Sequence, residues 1–244
     1  MRPLTKSKLI TLALGVLVLP CSAAVMLGGF RNGSFDQQLD GWKSGKMSGA
    51  RGMAVAGAEV TAENGRPHGG GDGTAAVLSV WGQAGATDGS TTPGSKAFSL
   101  AHLDQRIANI PSTHLSFDWD AGFGGTLFST GTITYEARVL VKLAGPHAAR
   151  QGSVPIYEQD LLSNQVGPLD PCANGIAFDG RAFGYHHLAL DLAEAGFRRG
   201  DDILVSIEFD AKVSAPNSCD FAEFSGSVWV DHFFVNPPKI RSAG

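Results

Sequence analysis

The stretch Ile203-Leu204-Val205-Ser206-Ile207-Glu208-Phe209-Asp210-Ala211-Lys212-Val213 decides the fold class. Ile203, Val205, Ile207, Phe209, Ala211 and Val213 fall on one side of an extended chain. Ser206, Glu208, Asp210 and Lys212 fall on the other. A period of two with one wet face is the mark of a half-buried strand in an antiparallel sheet. The pattern recurs upstream. In 132–143, Ile133, Tyr135, Ala137, Val139, Val141 and Leu143 oppose Thr134, Glu136, Arg138 and Lys142. In 114–120, Leu115, Phe117 and Trp119 oppose Ser116, Asp118 and Asp120. Further strands are expected at 75–81, 96–100, 184–192 and 226–235. Turn formers join them: His68 to Gly73, Gly85 to Gly94, and Gly122-Phe123-Gly124-Gly125. Helix is expected only at 192–198 and briefly near 101–107. Seven or more short strands around one core predict an all-β, two-sheet antiparallel sandwich of the jelly-roll kind.

Composition agrees. The chain has 244 residues, of which 32 are glycine, nearly double the usual share of about 7%. Charged residues are 17%, against about 25% on average, which speaks against a helical bundle. A net charge of −4 argues against nucleic acid as a partner, since that needs a concentrated basic surface.

The first 24 residues read as a secretory leader. Arg2, Lys6 and Lys8 precede the apolar run Leu9 to Leu19, and Ser22-Ala23-Ala24 supplies small residues for cleavage. A run of eleven residues is too short to span a bilayer, which takes about 20. Cleavage would leave 25–244 as a single sandwich domain, exported and without a membrane span. The leader holds three of the 19 basic residues, so 16 would face 23 acids, a balance of −7. Cys172 and Cys219 are then an even pair in an oxidising compartment. A bridge between them would close a loop of about 48 residues and add about 4 kcal/mol.

Motifs at both ends, and a third between them, carry a resemblance. Asn32-Gly33-Ser34-Phe35-Asp36, followed by Leu39-Asp40-Gly41-Trp42, resembles the opening of galactose-binding-like jelly rolls, which include many carbohydrate-binding modules of secreted bacterial enzymes. Val228-Trp229-Val230-Asp231-His232-Phe233 is similar to their last strand. His68 to Thr74 sits where the family carries a His-Ser-Gly turn. Asp36 stands for the usual Glu, and His232 for the usual Asn. The resemblance implies first and last strands lying side by side. It also implies a structural calcium there, with Asp36 and Asp231 as carboxylate ligands and Asp72 as a third. Calcium takes six to eight oxygens, main-chain carbonyls included.

For ligand contact, the polar row of Asp118, Glu136, Arg138, Glu208 and Asp210 is one candidate, because carboxylates and arginine can hydrogen-bond sugar hydroxyls. The alternative is a solvated face of cross-strand ion pairs. Trp81 and Phe123, beside glycine-rich segments, are candidate sugar platforms. Trp42 and Trp119 read as core. The expected partner is therefore a polysaccharide or cell-surface glycan, and a secreted scaffold without sugar ligand is the competing reading. Catalysis has near misses only. Glu208-Phe209-Asp210-Ala211-Lys212 resembles the Glu-x-Asp-x-Glu strand of jelly-roll glucanases, with Lys212 in place of the second acid. Glu136-Ala137-Arg138 resembles the Arg-x-Glu-x-Arg strand of jelly-roll alginate lyases, with Thr134 in place of the first arginine. His186 and His187 would point to opposite faces of a strand and could not share a metal.

Overall fold

The computed structural model describes residues 29–64, 73–85, 94–150, 155–170, 174–217 and 219–236. The expected leader, Asp72, Cys172 and the turns at 68–72 and 86–93 lie outside them.

Two five-stranded antiparallel sheets face one another. The first runs β1 (Lys43–Arg51), β4 (Ser95–Ile107), β9 (Ile203–Ala215), β6 (Thr132–Leu143), β7 (Ile156–Val166). The second runs β2 (Ala54–Asn64), β3 (Thr74–Ala84), β10 (Phe221–Asn236), β5 (His114–Phe128), β8 (Ile176–Asp191). Among the described residues there is one short helix, α1 (Gly145–Arg150), which follows β6. Among the described residues no helix is long and apolar enough to cross a membrane.

Alternation sets which side chains meet. Val205, Ile207 and Phe209 of β9 and Tyr135, Ala137 and Val139 of β6 point inward, against Leu78 and Val80 of β3 and Phe224, Val228 and Val230 of β10. Their alternates, including Glu136, Arg138, Glu208 and Asp210, face out.

The opening motif packs against the last strand. Phe233 stacks on Phe117 at 4.7 Å between ring centroids and lies 4.9 Å from Trp42 and 5.1 Å from Phe30. Its amide donates to the Gly33 carbonyl at 3.0 Å. A Cβ on Gly33 would collide with the Phe233 carbonyl, so this approach requires glycine. Buried Gln105 of β4 holds the other side. It donates to the carbonyls of Arg31 (2.8 Å) and Gly41 (3.0 Å) and accepts the Arg31 amide at 2.8 Å. The opening segment and the last strand therefore lie side by side, but the first strand itself, β1, belongs to the other sheet and does not pair with β10.

Three expectations are corrected. Gly122-Phe123-Gly124-Gly125 is no turn: it lies inside β5, paired with β10 and β8. Residues 101–107 are strand, because Ala101, Leu103 and Ile107 alternate inward and pair fully with β9. Residues 192–198 form turns instead of a helix, since Gly196 sits at φ 88 and the Leu192 amide is drawn to the Thr113 carbonyl. Strands β1, β2 and β7 went unread. Each is a poorly alternating segment, and β1, β2 and β7 all lie at sheet edges, where one face need not be apolar.

Candidate functional site

The outward face of each sheet can be read as rungs, because paired residues on antiparallel strands point the same way.

On the second sheet, one rung is Gly57, Trp81, Ser225, Gly124, Asp179. The next contains Glu59, Ser79, Ser227 and Gly122, and the one after it Val77, Trp229 and Asp120. Two tryptophans thus flank a floor of serine and glycine. The groove they enclose is about 650 Å³ and is lined by Ser79, Trp81, Gly122, Asp179, Ser227 and Trp229, among others. Ser79 and Ser227 hydroxyls share a hydrogen bond of 2.8 Å across its floor. Trp81 is 42% exposed. Its indole lies over Gly57 of the edge strand, where any Cβ would strike the ring. Glycine in a strand interior costs stability and often marks close approach by a ligand or another chain. The glycines misread as a turn therefore make the trough.

On the first sheet the rungs are charged. Gly45, His102, Glu208, Arg138 and Asp160 form one, and Met47, Leu100, Asp210, Glu136 and Ser163 the next. Arg138 is the hub. Its Nε and Nη2 donate to Glu208 Oε2 at 3.1 and 2.9 Å. Its Nη1 lies 3.3 Å from Glu158 Oε1 and 3.7 Å from Glu136 Oε1. Burial pushes the Glu136 carboxyl above its ordinary value, and the Asp210 and Asp160 carboxylates push the same way against Arg138. Burial likewise raises Asp210, partly offset by Lys212 and Arg138. Glu136, Glu158 and Asp160 place carboxylate oxygens within 4.8 Å of one another, a group that could hold a metal ion. Arg138 already supplies positive charge to two of these three.

The residues singled out from sequence do not gather in one place. Glu136, Arg138 and Glu208 share the face just described. Asp118 does not join them: β5 belongs to the other sheet, and its register partner is Asp231. Period two shows which side of a strand a residue faces, and it is silent on which sheet holds the strand. Asp118 instead bridges His187 (2.8 Å) and His232 (3.1 Å). His186 stacks on half-buried Trp119 at 4.8 Å, so the two adjacent histidines do face opposite ways. Phe123 is not a loop platform. Its ring turns inward against Tyr135 at 4.6 Å. Trp81 alone of the two aromatic candidates faces solvent in a groove. Trp229 was missed as a candidate, although Glu223, Ser225, Ser227 and Trp229 alternate with buried Phe224, Val228 and Val230.

Of the expected calcium ligands, Asp231 is buried and polar. Its Oδ1 accepts the His232 amide at 2.7 Å, and Oδ2 lies 3.5 Å from His232 Nδ1. A Cβ on Gly73 would sit 3.9 Å from Oδ2, so the chain just after Asp72 comes close. Asp36 is exposed and accepts the Ser34 hydroxyl at 2.7 Å. Cys219 is exposed in the turn before β10.

No family model matches the sequence, and no curated protein matches it. Solved structures match distantly. The enzymatically active domain of bacteriophage CBA120 tailspike protein 4 aligns over 81% of this chain and 20% of its own, at 15% identity and a TM-score of 0.30. A carbohydrate-binding module of the β-sandwich superfamily aligns over 85% and 60%, at 10% identity and 0.31. The module TmCBM61, solved with β-1,4-galactotriose, aligns over 84% and 94%, at 11% identity and 0.23. The chain spans about a fifth of the first of these and 60% of the second. The two-sheet sandwich itself stands on the strand pairing.

Proposed function

We propose that the protein is an exported, non-catalytic glycan-binding sandwich whose sugar site is the groove between Trp81 and Trp229. One observation carries the reading. Trp81 and Trp229 face outward on adjacent strands, four residues along and one strand over, so that their backbone positions are about 14 Å apart by ideal strand spacing, across a floor without bulky side chains. Indole faces suit the C–H faces of sugar rings. A few placed polar groups (Ser79, Ser227, Asp179) would orient the hydroxyls, the usual division of labour in a small-molecule site. The partner is a polysaccharide or cell-surface glycan. The same reading has the leader removed after Ala24, a Cys172–Cys219 bridge, and one domain outside the cytoplasm.

An array of plant, algal and bacterial polysaccharides tests it. Binding that is lost in Trp81→Ala supports the site. Silence across the array would leave a secreted scaffold without sugar ligand. A structural calcium belongs to the same proposal. Asp231 is its better-placed ligand, since Asp36 faces solvent, with Asp72 the expected third, and the Glu136, Glu158, Asp160 group is an alternative in which calcium would compete with Arg138. An upward shift of the melting curve with calcium, reversed by chelator, is the expected result.

One observation favours a second, enzymatic reading. Glu136 and Asp210 are direct cross-strand partners with raised carboxyls, and pairs of carboxyls in unequal environments serve as acid and base in glycoside cleavage. Release of reducing ends or unsaturated uronides, abolished in Glu136→Gln, would establish it.

A further inference from the structure

The first sheet ends in two rungs unlike the acidic ones beside them. Arg51, Lys96, Ser214 and Thr132 form the last rung, and Gly49, Phe98, Lys212 and Thr134 the one before it. Together they line a second groove of about 710 Å³. Its floor is a ring: Phe98, 39% exposed, lies over Gly49, where any Cβ would meet it. Its walls are hydroxyls and three cations.

The electrostatics are left incomplete. Arg51 and Lys96 are direct cross-strand partners, and like charges so placed repel. Among the described residues neither takes part in an ion pair. Lys212 reaches only Asp210, at 3.9 Å, and stays 64% exposed. The acidic pair Glu136 and Asp210, on the next rung, faces the same repulsion, but Arg138 and Lys212 stand beside it. The cationic pair has no such relief within the described chain. In a protein of net charge −4, three cations around one exposed ring are a local exception that the overall charge does not predict.

We propose that this groove is a second carbohydrate site, separate from the one at Trp81, and that it takes sugar chains bearing carboxylates, that is, polyuronates. The planar guanidinium of Arg51 matches a carboxylate in bidentate fashion, and Lys96 and Lys212 add point charges. Phe98 offers a stacking face, and Thr132, Thr134 and Ser214 offer hydroxyl partners. The acidic rungs set the direction. A uronate chain is repelled by Glu136, Asp210 and Glu208, so it lies across the strands, from β1 over β4 and β9 to β6, instead of running along them.

Titration of the full protein with hexagalacturonate and with its methyl ester separates charge from sugar. The acid form is expected to bind at least about tenfold more tightly than the ester, the worth of one charge-assisted contact, and to weaken as sodium chloride rises from low to physiological concentration. Lys96→Gln with Lys212→Gln is expected to weaken it about a hundredfold, and Phe98→Leu, which keeps the apolar volume, about tenfold. The substitutions lie on an outward face, and an unchanged melting temperature confirms the fold. Equal binding of acid and ester overturns the proposal, as does unchanged affinity in the lysine variant. So does loss of hexagalacturonate in Trp81→Ala, which would assign the ligand to the other groove. A sulfated hexasaccharide or a single-stranded oligonucleotide bound more tightly than hexagalacturonate also overturns it. The neutral-glycan reading at Trp81 stands or falls separately, on uncharged polysaccharides.

Discussion

The two outward faces are built on the same alternation and do opposite things with it. On the first sheet, Arg138 ties Glu136, Glu158 and Glu208 to itself, so most of that charge is spent within the protein. On the second, Ser79, Ser227, Gly122 and Gly124 leave the middle of the sheet low between two indoles. The difference teaches that polar residues on a sheet surface need not advertise a ligand. Groups already engaged with one another have little to offer, while a bare floor between an exposed ring and a half-buried one has no internal explanation.

Four measurements can break or sharpen that contrast. The largest effect should come from what both faces share. Phe233→Ala removes the ring that joins the opening loop to β10, and a loss of about 4 kcal/mol is expected in denaturant unfolding. A loss under about 1 kcal/mol would mean that this end of the sandwich is not what holds the sheets together. Next, Trp81→Ala should weaken binding of a neutral glycan about thirtyfold, roughly 2 kcal/mol, as for a buried aromatic anchor. An equal loss from Arg138→Met would place the ligand on the first sheet and erase the distinction.

Third, Arg138→Met should cost about 1 kcal/mol of stability by leaving its carboxylates facing one another. The cost should shrink at high salt, which screens that repulsion; a salt-independent cost would point to lost packing instead. The smallest effect is Glu136→Gln. The Glu136 carboxyl is raised in the folded protein, so its ionised form costs stability at neutral pH. That cost fades as pH falls through the raised value toward the ordinary carboxylate range. The variant should therefore melt about 1–2 °C higher at pH 7, and the gap should close on acidification. A gap that widens toward acid would reverse the sign of the argument.

Much of the fold was legible because buried strands must alternate. Ile203 to Val213 and Ile133 to Leu143 could hardly be anything else. The edge strand Lys43–Arg51 was not, since its glycines, serines and lysines satisfy no strong local preference and it exists by pairing with β4. The site was legible only in pieces. Trp81 could be suspected from its neighbours. Its counterpart Trp229 could not be placed opposite it without knowing that β10 lies between β3 and β5. Asp118 went to the wrong face for the same reason: strand order is a non-local property. Gly122 to Gly125 misled because glycine usually ends a strand, and here flatness was worth its cost.

Three rings, those of Trp81, Phe98 and His102, each rest on a glycine of an outer strand: Gly57, Gly49 and Gly45. If the groove at Trp81 takes a sugar, the hydrogen of Gly57 acts as a hinge for recognition. Adding one methyl group at residue 57 would tip the indole upright and turn a shelf into a fin, changing what fits without altering any atom that meets the guest. Selectivity in such a molecule can thus drift through positions that a survey of contacts would pass over.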